Sequence, residues 1–215
     1  MYRNFNEGWI EVIAGCMFAG KTEELIKRIK VLELAKKKIK VFKPKIDNRY
    51  SDDEIVSHSG LRVKCLVVDK AREILELINN DDEVILIDEV QFFDDEIVAV
   101  CDLIASRSIP VICAGLDLDF RACVFGPMGK LMAIAEYVTK LTAVCSVCGN
   151  PATRSQRLVN GKPAKYNDPT ILVGANEAYE PRCRTHHKVK GKYRSYYGSK
   201  IYQIRSNRKK ISRIK

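Results

Sequence analysis

The sequence predicts an α/β protein built on a parallel sheet, for three reasons. Apolar strand-like runs alternate along the chain with stretches of helical period. Residues 15–22, GCMFAGKT, fit the phosphate-loop pattern G-x-x-x-x-G-K-[ST] without mismatch, with an apolar run before them and a helix-period segment after them. A second apolar run, VILI at 84–87, ends in Asp88-Glu89, as a buried parallel strand does when it delivers acidic groups to the carboxyl edge of a sheet.

The elements follow in order. Residues 9–14 are the first predicted strand. Residues 23–38 carry Leu25, Ile29, Leu32 and Ala35 at helical spacing. A second strand is expected over 39–42. Residues 43–60 are polar and bounded by Pro44 and Gly60, which predicts a loop, and a loop of that length usually has a task. A short strand at 65–68 precedes a helix at 71–78 with Ile74, Leu75 and Ile78 on one face. After the strand at 84–87, residues 94–106 form an amphipathic helix through Ile97, Val100, Cys101 and Ile104. A buried strand at 110–116 is followed by Asp117, Asp119 and Phe120. A helix over 126–137 and a last strand over 139–144 complete the alternation, which implies right-handed crossovers. Three regions are expected: a nucleotide-binding α/β domain over 1–141, a zinc-binding and lid domain over 142–191, and a basic tail over 192–215.

Composition narrows the partners. In 215 residues with 46% hydrophobic content, no segment reaches the 18 apolar residues of a membrane span, and the N-terminus has no apolar signal core, so a cytoplasmic protein is expected. Eight cysteines in that setting point to thiols and metal rather than disulfides. The net charge of +10 belongs to the tail: eleven of the 37 Lys and Arg residues lie in 188–215, where no acid occurs, leaving 26 bases against 27 acids. The body therefore has no basic surplus and calls for no nucleic acid. The tail, with Tyr193, Tyr196, Tyr197 and Tyr202, is read as a solvated extension.

Two chemistries are encoded. In the first, the loop N–H groups and a helix N-terminus bind phosphate, Gly15 and Gly20 allow close backbone approach, Lys21 reaches the outer phosphates, and Thr22 offers a hydroxyl to magnesium. Asp88 would share the magnesium, directly or through water, and Glu89 would accept a proton from the attacking nucleophile. If that nucleophile is water the chain is an ATPase; if it is a substrate hydroxyl it is a small-molecule kinase. In the second, Cys145-x-x-Cys148 and Cys183-x-x-His186 offer four soft ligands to zinc, and four protein ligands make a closed, structural site. His187 is left at the surface or behind the ligands. The insert at 149–182, pinned by the metal, is read as a lid.

The stretches GCMFAGKTEEL, DNRY, IDEVQFF, GLDLDFR, FGPM and CxxC…CxxH, in this order over about residues 8–190, resemble the type II thymidine kinases. The resemblance implies a RecA-like P-loop NTPase sheet with a small zinc domain carrying a lasso-like lid. It also implies transfer of the ATP γ-phosphoryl to the 5′-hydroxyl of thymidine or deoxyuridine, giving dTMP and ADP for pyrimidine salvage, with dTTP as feedback inhibitor and a homotetrameric assembly. By position it implies Glu89 as catalytic base. ATP would be held by Gly15, Cys16, Met17, Phe18, Ala19, Gly20, Lys21, Thr22, Arg49, Asp88 and Gln91. Asp47 joins Thr22 and Asp88 near magnesium. Met17, Phe92, Leu116, Phe120 and Phe125 would enclose the thymine, with Thr153 near its methyl. Ile171, Leu172, Val173, Gly174 and Ala175, with Tyr179, correspond to the lasso, whose main chain bonds the base. Cys16 replaces a common serine, with little effect expected, and Ala122-Cys123-Val124 replaces a more polar stretch beside Phe125. The alternatives are a P-loop ATPase with a zinc module acting with nucleic acid or protein, and a zinc-dependent nucleic-acid binder using the tail.

Overall fold

The computed structural model describes residues 7–45, 54–56, 60–171 and 177–191. The chain begins with β1 (Ile10–Gly15), enters α1 (Lys21–Leu34) and returns along β2 (Ile39–Pro44). An antiparallel pair, β3 (Glu54–Val56) and β4 (Arg62–Lys64), precedes β5 (Leu66–Val68). Then come α2 (Glu73–Leu77), β6 (Val84–Ile87), a 3-10 turn (Val90–Phe92), α3 (Glu96–Ser106), β7 (Val111–Gly115), α4 (Met128–Ile134) and β8 (Tyr137–Leu141). The remaining strands are β9 (Ala143–Val144), β10 (Pro151–Ala152), β11 (Arg154–Val159), β12 (Lys162–Pro163) and β13 (Glu177–Arg182).

Six strands form one sheet in the order β5-β2-β6-β7-β1-β8, and every neighbouring pair is parallel. Helices cover both faces. Leu25, Ile26, Ile29 and Leu32 of α1 share a core with Ile13, Leu86 and Ile112, whereas Ile97, Val100, Cys101 and Ile104 of α3 share one with Val12, Ile85, Ile87 and Cys113. Adjacent strand residues thus enter opposite cores, which is why the inner strands are apolar throughout rather than alternating. Leu25, Ile26 and Ile29 are fully buried, each contributing about 2 kcal/mol from apolar burial. Parallel strands end together, so the segments after β1, β6 and β7 meet along one edge. No helix among the described residues is long and apolar enough to cross a membrane.

Several elements differ from the sequence expectation. Helix α1 stops at Leu34, not 38: Lys36 turns left-handed at φ 56°, and the Lys37 N–H bonds back to the Leu32 carbonyl at 3.0 Å. The stretch expected as a loop over 43–60 begins inside β2 and contains β3, whose Ile55 is buried. The helix expected over 126–137 covers only Met128–Ile134, because Tyr137 pairs with Glu11 as the start of β8. The last strand expected over 139–144 is two strands. The chain leaves the sheet after Leu141, and β9 pairs antiparallel with β10. That reversal forms a knuckle, with the Cys145 N–H on Asn150 O at 2.8 Å and the Gly149 N–H on Cys145 O at 2.9 Å. The insert is likewise more regular than its loop-forming residues suggest, since β12, β11 and β13 make an antiparallel sheet. The expected tail at 192–215 lies outside the described residues.

One polar group is buried in the sheet. Glu11 in β1 is 0% exposed and accepts from Arg28 of α1 at 3.2 Å and from Thr139 of β8 at 3.4 Å. Arg28 also reaches Glu24 at 2.5 Å. The carboxylate thereby joins α1, the inner strand β1 and the edge strand β8. Arg28→Ala should lower the unfolding free energy by about 2 kcal/mol, because it leaves a buried acceptor short of its charged donor. Urea denaturation would measure this; a loss within error of zero would show that Glu11 is satisfied without Arg28.

Candidate active site

A cavity of about 630 Å³ opens at the carboxyl edge of the sheet, within the size range of ligand pockets. The phosphate loop supplies Met17, Phe18, Gly20, Lys21 and Thr22 to its wall. Phe18 is left-handed at φ 64°, which turns the chain into the N-terminus of α1. Lys21 is nearly buried and donates to the Cys16 carbonyl at 3.0 Å, a bond that leaves the ammonium two further donors. Gly15, Cys16 and Ala19 do not line the cavity, and Cys16 is tied elsewhere. Its thiol donates to Ala152 O at 3.3 Å and sits among Ala143, Cys145 and Cys183, where burial pushes its pKa up and keeps it neutral.

Asp88 and Glu89 leave the end of β6 side by side. Asp88 is buried; it accepts from the Thr22 hydroxyl at 3.4 Å and from the Glu89 N–H at 2.9 Å. Burial and then the neighbouring Glu89 charge push its carboxyl up to about 7, against the pull of Lys21 and the two hydrogen bonds. Glu89 is half-buried and left-handed at φ 51°, a costly conformation for a residue with a Cβ and one that concentrates at functional sites. Gln91 was expected to contact ATP. It is 2% exposed and outside the cavity wall; its amide instead donates to Glu89 Oε2 and accepts the Leu116 N–H at 2.9 Å.

The apolar half of the cavity has Phe92, Leu116, Phe120 and Phe125 in its wall. Phe92 and Phe125 meet edge to face, 5.3 Å between centroids and 81° between planes. Phe120 and Phe125 come from one loop, closed by Asp119, which accepts from the Arg121 N–H at 2.8 Å and the Cys123 N–H at 3.0 Å. Within Ala122-Cys123-Val124, Ala122 makes the turn at φ 58°, its N–H on Asp119 O at 2.9 Å, and Val124 bridges Leu118. Phe120 is gripped from β11 and from the segment after β13. The fully buried Arg157 guanidinium lies 4.8 Å from its ring centroid and donates to Pro169 O at 2.6 Å, and His187 Nε2 donates to the Phe120 carbonyl at 2.8 Å.

Ser155 was missed in the sequence. It lines the cavity from β11 and accepts the Met17 N–H at 3.0 Å. Thr153, expected beside the substrate, is not in the wall. It precedes the strand, its N–H bonds Arg182 O at 3.2 Å, and its hydroxyl accepts from Arg154 at 2.8 Å. The available signal was the period of the strand RSQRLV, which puts Ser155 and Arg157 on one face. Lys43, Pro44, Ile55 and Val56 are further wall residues that the loop expectation concealed. Ile171 and Tyr179 line the cavity, whereas Leu172, Val173, Gly174 and Ala175 lie outside the described residues, as do Asp47 and Arg49.

Cys145, Cys148, Cys183 and His186 bring their ligand atoms within 4.8 Å of one another. Sulfurs bound at about 2.3 Å in a tetrahedron lie about 3.8 Å apart. Cys148 Sγ and Cys183 Sγ are 3.8 Å apart, and His186 Nδ1 lies 3.9 Å from Cys145 Sγ and 3.3 Å from Cys183 Sγ. The set fits a structural zinc. Burial opposes ionisation of Cys145, but N–H groups of Cys183, Val147 and Cys148 aimed at it bring its thiol down to about 6, so a metal would meet a thiolate.

The model of one protein family, described as thymidine kinase, matches residues 8–187. Among solved structures, the chain is similar to the X-ray structure of the Legionella pneumophila ATPase DotB at 16% identity, over 60% of this chain and 34% of that one, with a TM-score of 0.36. The chain spans about a third of that ATPase's length.

Two expected outcomes follow from this geometry. Asp88, raised to about 7 when folded, keeps a proton that the unfolded chain releases near pH 4, so its contribution to stability is complete below about pH 4 and disappears as pH rises through about 7. Asp88→Asn should therefore raise Tm in magnesium-free buffer at about pH 8 and change it little at about pH 4. Calorimetry at the two pH values would check it, and equal shifts would contradict it. Cys183→Ser should reduce bound zinc well below about one per chain; equal zinc content in variant and wild type would rule out this ligand set.

Proposed function

The chain belongs to the thymidine kinase family, and from that premise we propose that it transfers the γ-phosphoryl group of ATP to the 5′-hydroxyl of thymidine, giving dTMP and ADP. One observation carries the reading: a single cavity joins Lys21, Thr22, Asp88 and Glu89 to the wall of Phe92, Leu116, Phe120 and Phe125. Phosphate-binding and ring-enclosing groups on either side of a carboxylate suit a nucleoside held in line with a triphosphate.

The loop amides and Lys21 take the phosphates and offset the charge that spreads over the transferred group. Magnesium fits the Thr22 hydroxyl and the Asp88 carboxylate, 3.4 Å apart, and would supply charge neutralisation there; ionised Asp88 is the form that binds it. Asp47 is a further proposed ligand. Glu89 accepts the 5′-hydroxyl proton as the oxygen bonds to phosphorus and ADP leaves. Phe92, Leu116, Phe120 and Phe125 exclude water and set ring size. The segment 171–175 with Tyr179 is proposed to read the base through its main chain. Deoxyuridine falls in the same substrate class, since one methyl in an apolar pocket is worth about 1–3 kcal/mol. On the same reading dTTP would bridge the nucleoside and phosphate halves of the cavity and inhibit, the enzyme would work in the cytoplasm in pyrimidine salvage, and four chains would associate.

ADP release from ATP and magnesium, with and without thymidine, tests the reading. Thymidine-dependent turnover is expected; nucleoside-independent hydrolysis would make the chain an ATPase instead. Glu89→Gln should keep ATP binding and lower kcat by about 10²- to 10⁴-fold. A near-normal kcat would remove Glu89 as the base.

A further inference from the structure

We infer that Gln91 is a positioning residue for Glu89 and not a contact for ATP, an inference that rests on the kinase reading of the cavity.

Gln91 follows two cavity residues, Asp88 and Glu89, and precedes a third, Phe92, yet it is 2% exposed and outside the wall. Its side chain is turned into the protein, where each end of the amide has a partner. Oε1 accepts the Leu116 N–H at 2.9 Å, and Nε2 donates to Glu89 Oε2. An N–H on one side and a carboxylate on the other fix which amide atom faces which, because only the nitrogen can donate to the carboxylate. A glutamine suits this bridge through its donor and acceptor at one planar terminus. Glutamate would lack the donor, and methionine would lack both.

The bridge is clamped. A Cβ at Gly115 would lie 2.5 Å from Gln91 Oε1, and one at Gly126 would lie 2.4 Å from the Gln91 carbonyl oxygen. The end of β7 at Gly115 and the turn at Gly126 thus approach Gln91 at distances that only glycine permits. A side chain at Gly115 would displace the Gln91 amide oxygen, and one at Gly126 would displace the Gln91 main chain.

Glu89 has reason to be held. Its backbone sits in a strained left-handed conformation, and its side chain has several torsions to fix before a carboxylate oxygen can meet a substrate hydroxyl. The Gln91 amide occupies Oε2 and leaves Oε1 to take the proton. The same amide ties that carboxylate to the main chain of Leu116, whose side chain lines the nucleoside half of the cavity. Base and pocket wall are kept in register by one group.

Steady-state kinetics of Gln91→Met, Gln91→Glu, Glu89→Gln and the double variant Glu89→Gln/Gln91→Met test this. Gln91→Met should lower kcat about 10- to 100-fold, the range for a misplaced reacting group, with the KM for ATP within about threefold of wild type. Gln91→Glu, which can still accept from Leu116 but cannot donate to Glu89, should fall as far. In the double variant the Gln91 change should add almost nothing to the loss from Glu89→Gln, since nothing remains to be positioned. A KM for ATP raised tenfold with kcat unchanged would make Gln91 an ATP ligand and overturn the inference. So would a Gln91→Glu kcat equal to wild type, or multiplicative losses in the double variant. These ratios are read on whichever acceptor the wild type uses, thymidine or water. A wild type inactive on thymidine overturns the kinase reading alone.

Discussion

Two carboxylates on consecutive residues, both drawn into the protein at the end of one strand, are the constraint the rest of the site answers. Asp88 carries the cost of burial and then of its neighbour's charge, which is why it holds a proton up to about pH 7. The surrounding groups are donors: the Thr22 hydroxyl, the Glu89 N–H and the Gln91 amide. A cation at Thr22 and Asp88 would relieve the same repulsion and convert an unfavourable pair into a binding site. The order of strands makes the arrangement possible. β6, β7 and β1 are adjacent and parallel, so the acidic pair, Leu116 and the phosphate loop emerge side by side.

The small β-rich region after the sheet is part of this site. Ala152 takes the Cys16 thiol, Ser155 takes the Met17 N–H, and Arg157 and His187 hold Phe120 by ring and carbonyl. The knuckles therefore do more than close a peripheral module. Cys145 and Cys183 share a buried cluster with Cys16 of the phosphate loop, so a metal held there would stiffen the floor on which that loop rests.

The sequence made the sheet legible because strands buried on both faces leave continuous apolar runs, and VILI at 84–87 matches β6 residue for residue. The phosphate loop and the cysteine knuckles were legible because each chemistry demands fixed spacing. Element ends were harder. Nothing local marks Lys36 as the left-handed stop of α1, and the end of the sheet at Leu141 is set by pairing with β1. The wall of the cavity was least legible. Ser155 rather than Thr153 faces it because Thr153 lies ahead of β11 and its hydroxyl is taken by Arg154, and Gln91 turns away from it because its partners, Leu116 and Glu89, meet only in three dimensions. The period of the strand RSQRLV is the one local trace of the first; the second has none.

The bond between the Met17 amide and Ser155 spans 138 positions of chain. During synthesis the glycine loop leaves the ribosome long before its hydroxyl partner, which arrives only after the whole parallel sheet has been made. Pairing across such a distance must wait for the chain to close, a slow and entropically expensive step. The loop thus gains this bond only once β11 has been made, and a nascent chain that stops short of Ser155 carries the phosphate motif without it.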